Sequence, residues 1–136
     1  MGAWGMNDSG MPTESDALAF ISDKIDSVPH LEALLLLWNT RPQCWPAARL
    51  AARLYSSEDV ALRLLQDLKR YDLVSADDKG EAFCYRSNSE DVDRLIERVD
   101  ELYRTQLIRV STMIHSKASA AVRDFARAFR FTKDRS

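Results

Sequence analysis

The chain has 136 residues and a formal net charge of −2, with 46% hydrophobic and 29% charged side chains. This length suits a single domain, and the composition excludes disorder as a description of the whole chain. The near-neutral charge also excludes a uniformly basic nucleic-acid binder, so any site for a polyanion has to be local.

Neither a membrane span nor a secretory signal is visible in the sequence. The longest apolar run, Ala33–Trp38, has six residues, whereas about 20 are needed to cross a bilayer. Residues 1–12 contain no basic residue and no apolar segment of the kind that signals export. We therefore predict a cytoplasmic protein without membrane contact, whose residues 1–14 form a flexible tail.

Two helices are predicted in the first part of the chain. Apolar residues three or four apart indicate a short helix over residues 15–27, with Ser15 as its N-cap. Pro29 is expected to interrupt it, because proline lacks the N–H that an interior helical turn needs. A second, strongly apolar helix follows His30 and ends near Asn39, and its composition predicts a central place in the core.

Two further helices follow in close succession. Pro46 suits the first turn of a third helix. A fourth helix covers residues 57–71, where Ser56 and Asp59 have the spacing of a capping motif. Asp72 is placed to end it, since Asp tolerates the left-handed backbone conformation better than most residues.

The second half of the chain begins with a predicted hairpin and continues with a long helix. Residues 73–76 and 82–86 are rich in strand formers, and Gly80 between them can adopt a positive φ. Ser87 and Glu90 have the spacing of a capping box for a helix that runs to residue 117.

This order of elements is that of a winged helix-turn-helix domain, mainly α with a small β-hairpin wing. The segment WPAARLAARLYSSEDVALRLLQDLKRYDLV, residues 45–74, resembles the core of bacterial winged-helix regulators of the MarR-like and PadR-like kind. It has a small-residue first motif helix and a short turn, and in its LKRYDLV ending Asp72 stands where those families have glycine. The resemblance covers residues 30–88. We divide the chain into a winged domain at 15–88, a long helix at 89–117 and a basic amphipathic segment at 118–136.

The resemblance makes residues 57–71 the recognition helix, which in these families enters the major groove of DNA. There Arg and Gln can read base edges, while Lys and Arg hold phosphates. Lys79 would lie at the wing tip, close to the minor groove. The predicted contacts with double-stranded DNA are Arg49, Arg53, Ser57, Arg63, Gln66, Lys69, Arg70 and Lys79.

Two acidic features oppose DNA binding. The recognition helix begins with Glu58 and Asp59, and the wing carries three acidic residues around a single lysine. The arginines would then form a solvated face with ion pairs along the helices. Residues 41–71 nevertheless carry six basic and three acidic side chains, a net +3. Our first hypothesis is therefore a DNA-binding transcriptional regulator, and the alternative is a winged-helix module that binds another protein and not DNA.

The long helix has an apolar stripe that a small winged domain does not need for its own core. Dimerisation, as in the resembling families, would cover it and would place two recognition helices on one side of the dimer. In the alternative, the N-terminal helix and the C-terminal segment fold back over the stripe within one chain. The predicted dimer residues are Val92, Ile96, Val99, Tyr103, Leu107, Val110 and Ile114.

Cys44 and Cys84 lack the spacing of a zinc site, and the chain has only two histidines to accompany them. The ordinary expectation is two reduced, buried, apolar side chains. In a winged fold, however, the strand before the first motif helix pairs with the second hairpin strand. That pairing would bring both cysteines into one sheet, close enough for a redox-switched disulfide, which is the alternative.

No pattern in the sequence points to an enzyme. Three of the four glycines lie in the first ten residues, so there is no glycine-rich phosphate loop, and no histidine has a nucleophile at a recognisable spacing. Acids one turn apart in the long helix could chelate a metal, but neighbouring arginines favour ion pairs instead. We predict no catalytic residue, no metal and no cofactor.

Overall fold

The computed structural model describes residues 11–117. The helices are α1 Glu14–Lys24, α2 Val28–Thr40, α3 Ala47–Leu54, α4 Glu58–Arg70 and α5 Glu90–Thr105, and the strands are β1 Cys44–Pro46, β2 Val74–Ala76 and β3 Ala82–Tyr85. Residues 107–117 are also helical. This succession, with a hairpin directly after α4, confirms the mainly α winged helix-turn-helix fold with a small wing. Most of the predicted tail and the whole segment 118–136 lie outside the described residues.

The sheet has three antiparallel strands in the order β1-β3-β2. Strand β1 lies against β3 with Trp45 opposite Phe83, and β2 lies against the other side of β3. Gly80 has a φ of 71° in the β2–β3 connection, which confirms the hairpin signal read from the sequence. The strand that precedes α3 is thereby tied to the wing.

Helix α2 is the centre of the core, as its composition predicted. Leu31, Leu34 and Leu37 are completely buried, and the helix contacts α3, α4, α5 and β3. Each such leucine contributes about 1.5–3 kcal/mol through burial. A helix that is apolar on almost every side needs neighbours all around it, and the winged domain supplies them.

Helices α1 and α2 begin earlier than predicted. The N-cap of α1 is Thr13, which forms a capping box with Asp16, so Ser15 lies inside the helix. Ser27 caps α2 and Pro29 occupies its first turn. Proline is tolerated there because the N–H it lacks would have no helical partner. The expected break therefore falls before Pro29 and not at it.

The turn of the helix-turn-helix is bounded by the C-cap of α3 and the N-cap of α4. Tyr55 ends α3 with a left-handed backbone, and the hydroxyl of Ser57 accepts a hydrogen bond from the N–H of Val60 at the start of α4. The sequence had assigned this capping role to Ser56, one residue too early. Asp72 has a φ of 61° directly after α4, as predicted.

The predicted long helix is broken. Gln106 has φ −135° and ψ 49° and ends α5, and helical structure resumes at residue 107. The break lets the second segment follow α1: Arg109 pairs with Glu14, and Lys117 donates to the carbonyl oxygen of Ser22 at 2.6 Å. The apolar stripe continues across the break, which is why its spacing predicted one continuous helix.

The start of α5 also differs from the prediction. Ser89, not Ser87, is its N-cap and accepts from the N–H of Val92. The hydroxyl of Ser87 instead donates to Asp93 at 2.6 Å. Within residues 11–117, no helix combines the length and the apolar character that a membrane span requires.

Candidate nucleic-acid interface

Helix α4 packs one face on the core and presents the other to solvent. Ala61, Leu64, Leu65 and Leu68 form its buried face. The eight side chains predicted to contact DNA are all exposed, four of them on α4 from Arg63 onwards and the others on α3, at the α4 cap and in the wing. They are Arg49, Arg53, Ser57, Arg63, Gln66, Lys69, Arg70 and Lys79.

Arg70 has a partner within its own helix. Its Nη2 donates to Oδ1 of Asp67 at 3.0 Å. The other carboxylate oxygen of Asp67 lies 2.8 Å from Nε2 of His30, and Nδ1 of His30 lies 2.6 Å from the hydroxyl of Ser27. A line of polar contacts thus runs from the N-terminus of α2 to the exposed end of α4. Arg70 would have to exchange Asp67 for a phosphate in order to bind DNA.

This array corrects the expectation that no histidine is paired with a nucleophile. Ser27, His30 and Asp67 are arranged as serine, histidine and acid are in hydrolases, yet their surroundings assign a structural role. The Ser27 oxygen already accepts from the backbone N–H of His30 as the α2 N-cap. Pro29 in the same turn has no N–H to offer a developing oxyanion.

Arg49 is fixed near the start of α3 by an aromatic ring. Its guanidinium carbon lies 4.6 Å from the centroid of Trp45, a distance that suits a cation–π contact. Trp45 is buried in β1, and its indole N–H donates to the hydroxyl of Thr40 at 2.9 Å. The guanidinium of Arg49 therefore lies against a buried indole ring beside the sheet.

Arg53 has surroundings that differ from those of the other predicted contacts. It lines a groove of about 410 Å³ formed by α2, α3 and α5, together with Asp100 and Arg104. Asp100 is buried and accepts from Asn39 at 3.1 Å and from Arg104 at 3.0 Å. A polar cluster thus lies between α5 and the winged part.

One of the three acidic residues of the wing, Asp77, accepts hydrogen bonds from the backbone of the wing itself. Oδ1 of Asp77 accepts from the backbone N–H groups of Glu81 and Ala82 at 2.9 and 3.3 Å. These hydrogen bonds lower the pKa of the Asp77 carboxyl below its ordinary value. Asp77 therefore shapes the turn, while Lys79 is exposed at its tip.

The first half of α4 is acidic and partly apolar. Glu58 and Asp59 lie in its first turn, where carboxylates stabilise the helix dipole. Exposed apolar side chains stand beside them, with Tyr55 97% exposed in the turn before the helix and Val60 and Leu62 partly exposed on it. The basic character of the exposed face therefore begins at Arg63, a boundary that spacing alone did not reveal.

Two smaller cavities lie away from this face. One, of about 310 Å³, is lined by Trp38, Arg41 and Tyr85 among others, with the Arg41 guanidinium 3.5 Å from the Trp38 ring centroid. Burial and a hydrogen bond to Asp93 raise the pKa of Tyr85. The other, of about 250 Å³, lies beside Tyr71. Within residues 11–117, no group of three or more His, Cys, Asp or Glu side chains is placed to hold a metal.

The two cysteines are joined. Cys44 in β1 and Cys84 in β3 are register partners and form a disulfide across the sheet. Both residues are only partly buried. The expectation of two buried, reduced side chains is therefore wrong. The strand pairing implied by the winged fold is what brings them together.

The order of the elements and the strand order decide the fold class. The fold is a winged helix-turn-helix fold. No known protein-family model and no curated protein matches the chain. One solved structure that is similar to it is described as the transcriptional regulator Tm0710 from Thermotoga maritima, with 12% identity and a TM-score of 0.47 over 88% of this chain and 84% of that one. A likeness at this level assigns no function.

The predicted dimer stripe of this winged-helix protein lies largely inside the single chain. Helix α1 packs along α5. Ile96, Val99, Val110 and Ile114 are buried, Val92 and Tyr103 are partly buried, and Leu107 is exposed. A second copy could reach the four buried residues only if α1 moved away. The fold-back of the N-terminal helix over the stripe, which the sequence left open, is the arrangement found.

Proposed function

We propose that the protein is a DNA-binding transcriptional regulator that places α4 in the major groove. The observation that carries this proposal is the exposed row Arg63, Gln66, Lys69 and Arg70, which lies opposite the buried face of α4. These residue types can read base edges and neutralise phosphates. Arg49 and Lys79 support it from the preceding helix and the wing.

The basic half of α4 has to outweigh the acidic half for this function. Helix α4 carries Glu58 and Asp59 in its first turn. The basic residues Arg63, Lys69 and Arg70 follow further along the same helix. Asp67, which lies among the basic residues, is already engaged by Arg70 and His30. We therefore expect modest affinity for random duplex, with a steep loss as salt displaces the protein from phosphates.

A fluorescence-anisotropy titration with random duplex DNA tests the proposal. We expect binding at low salt that weakens by orders of magnitude between about 50 and 200 mM salt. Arg63→Ala should reduce affinity, whereas Arg98→Ala removes the same charge from α5, where Arg98 is paired with Glu101, and should not. Equal affinities for these two variants would reject α4 as the DNA-binding element.

We further propose that the regulator acts as a homodimer. Because α1 covers most of the stripe, the contact would use exposed apolar residues of the segment after Gln106, where Leu107 is 50% and Ile108 80% exposed. A two-fold pair would set two α4 helices about one DNA turn apart. Ile108→Lys should convert a dimer into a monomer in sedimentation, and a wild-type monomer at high concentration would reject the proposal.

A second candidate function is supported by the exposed apolar residues near the start of α4. Tyr55 and Leu62, together with Glu58, form a mixed apolar and acidic surface that suits a protein partner better than a phosphate backbone. If this surface is the functional one, Leu62→Ala should abolish binding of the partner. Duplex binding should then be absent even at low salt.

A further inference from the structure

We propose that the Cys44–Cys84 bond is a thiol–disulfide exchange site whose redox state sets the position of the helix-turn-helix unit and, through it, the affinity for DNA. The effect on the position of the helix-turn-helix unit follows from the disulfide and the fold, whereas the effect on DNA affinity rests on the function proposed above. The ligand of this site is a small dithiol reductant, which opens the bond, or a disulfide of the same class, which closes it.

The bond encloses the entire candidate interface. Cys44 and Cys84 are 40 positions apart, and the loop between them contains α3, α4, β2 and the wing. All eight side chains predicted to contact DNA therefore lie inside the loop. The helices α1, α2 and α5 and the helical residues 107–117 lie outside it. Opening or closing the Cys44–Cys84 bond thus changes the connection between the recognition elements and the helices that support them.

Apart from this bond, strand β1 is held by the buried side chain of Trp45 and by few backbone hydrogen bonds. It is a three-residue edge strand, and the Cα atoms of Cys44 and Cys84 lie 4.2 Å apart, the short spacing of a pair without mutual hydrogen bonds. Such pairs alternate with hydrogen-bonded ones, so Trp45 and Phe83 form the single hydrogen-bonded pair. Pro46, opposite Ala82, falls in the next pair without mutual hydrogen bonds.

A shift of β1 would move α3 as well, because the two elements are continuous. Pro46 is both the last residue of β1 and the N-cap of α3. Trp45 supports the guanidinium of Arg49 from within the strand. Loosening β1 would therefore change where α3 begins and where Arg49 points, and α4 would follow because it packs against α3.

Neither cysteine residue is fully buried, and we expect a small thiol to reach at least one of the two sulfurs. A thiolate of the dithiol attacks one sulfur, breaks the S–S bond and forms a mixed disulfide. The second thiol of the reductant then displaces the protein sulfur. Two electrons and two protons end on Cys44 and Cys84, and the reductant leaves as a disulfide. The chain has no other cysteine, so reoxidation within one chain restores only this bond.

The test compares the oxidised and the dithiothreitol-reduced protein under native conditions. Three quantities are measured in each state: free thiols, amide hydrogen exchange over residues 47–83, and affinity for random duplex DNA. We expect two reactive thiols after reduction, faster exchange in α3 and α4, and affinity at least about fivefold lower, the small end of the range for coupled sites.

The outcomes separate this inference from the proposed function. If the bond resists the dithiol, or if exchange over residues 47–83 is unchanged by reduction, the inference is overturned. If exchange rises while duplex affinity stays the same, the link to affinity is overturned and DNA binding stands. If neither state binds duplex but exchange rises over residues 47–83 and not in α2 and α5, the proposed function fails and the switch in position is supported.

Two variants provide the controls. Cys44→Ser combined with Cys84→Ser should behave as the reduced wild type and should not respond to dithiothreitol. A response in this variant would show that the reductant acts elsewhere and would overturn the assignment. Arg63→Ala should bind duplex weakly and yet show the same reductant-dependent exchange as the wild type, because its disulfide is intact.

Discussion

Nε2 of His30 lies 2.8 Å from Oδ2 of Asp67 and joins the first turn of α2 to the outer half of α4. Both side chains are largely buried, so the contact is protected from solvent. His30→Ala should lower the free energy of unfolding by about 1.5–3 kcal/mol, the value of a hydrogen bond to a charged group. Urea denaturation measures this, and a double-mutant cycle with Asp67→Ala isolates the pair. A coupling energy of zero would contradict the role.

The same carboxylate restrains Arg70. Asp67→Asn removes the charge that holds the guanidinium and is expected to strengthen binding to random duplex. An exposed ion pair is worth only about 0.2–1 kcal/mol, so the gain should not exceed about fivefold. Arg70→Ala in the same background should cancel the gain. Weaker duplex binding by Asp67→Asn, at unchanged stability, would show that the pair orients Arg70 for DNA.

Adjacent serines at the start of α4 should differ in their contribution to stability. Ser57 accepts from the N–H of Val60, whereas the Ser56 hydroxyl donates at 3.3 Å to the carbonyl oxygen of Ser57. Ser57→Ala should cost about 1 kcal/mol, as the loss of an N-cap usually does. Ser56→Ala is the matched control and should cost less. Equal effects in thermal unfolding would place the cap elsewhere.

Alkaline pH should destabilise the protein through Tyr85. Burial, followed by the hydrogen bond to Asp93, raises the pKa of its phenol above the ordinary value of 10.0. The folded state then keeps a proton that the unfolded state loses, so the stabilisation is complete below pH 10.0 and is lost as the pH rises further. Unfolding free energies measured against pH should fall less steeply for Tyr85→Phe. Tyr55→Phe, at an exposed side chain, should keep the slope of the wild type.

Opening the disulfide should also lower global stability. A closed loop of this length restrains the unfolded chain by about 4 kcal/mol in the chain-entropy description. Urea midpoints with and without dithiothreitol measure the loss, and the double serine variant should match the reduced protein. An unchanged midpoint would mean that the unfolded state is equally compact with and without the bond.

The features that the sequence predicted are those set by local periodicity or by one special backbone position. The buried face of α4 follows from leucines at helical spacing, and Asp72 and Gly80 mark places where φ has to be positive. The strand pairing of the two cysteines follows from the fold once the fold is recognised. The helix face and the positive φ values are determined by residues close together in the sequence. The cysteine pairing is determined by the strand order of the winged fold.

The features that were missed depend on contacts between distant residues. His30 and Asp67 are 37 positions apart, and no spacing rule links them. The break at Gln106 serves the contact of the next segment with Glu14, while the apolar stripe runs on past it without a change of period. Either α1 or a second copy of the chain could cover such a stripe. The outcome depends on which of these two apolar partners binds it better, and the sequence of the stripe does not determine this.

The attachment of α1 has a consequence for synthesis of the protein. Its carbonyl oxygen at Ser22 is bonded by Lys117, 95 positions later, and its apolar residues Phe20 and Ile21 pack beside α5. During synthesis, the apolar face of α1 can therefore be buried only after α5 and the segment up to Lys117 have been made. At about 5–20 residues per second, that delay lasts several seconds. During this interval the apolar side chains of α1 lack their partner helix, and a product truncated before α5 would leave them uncovered permanently.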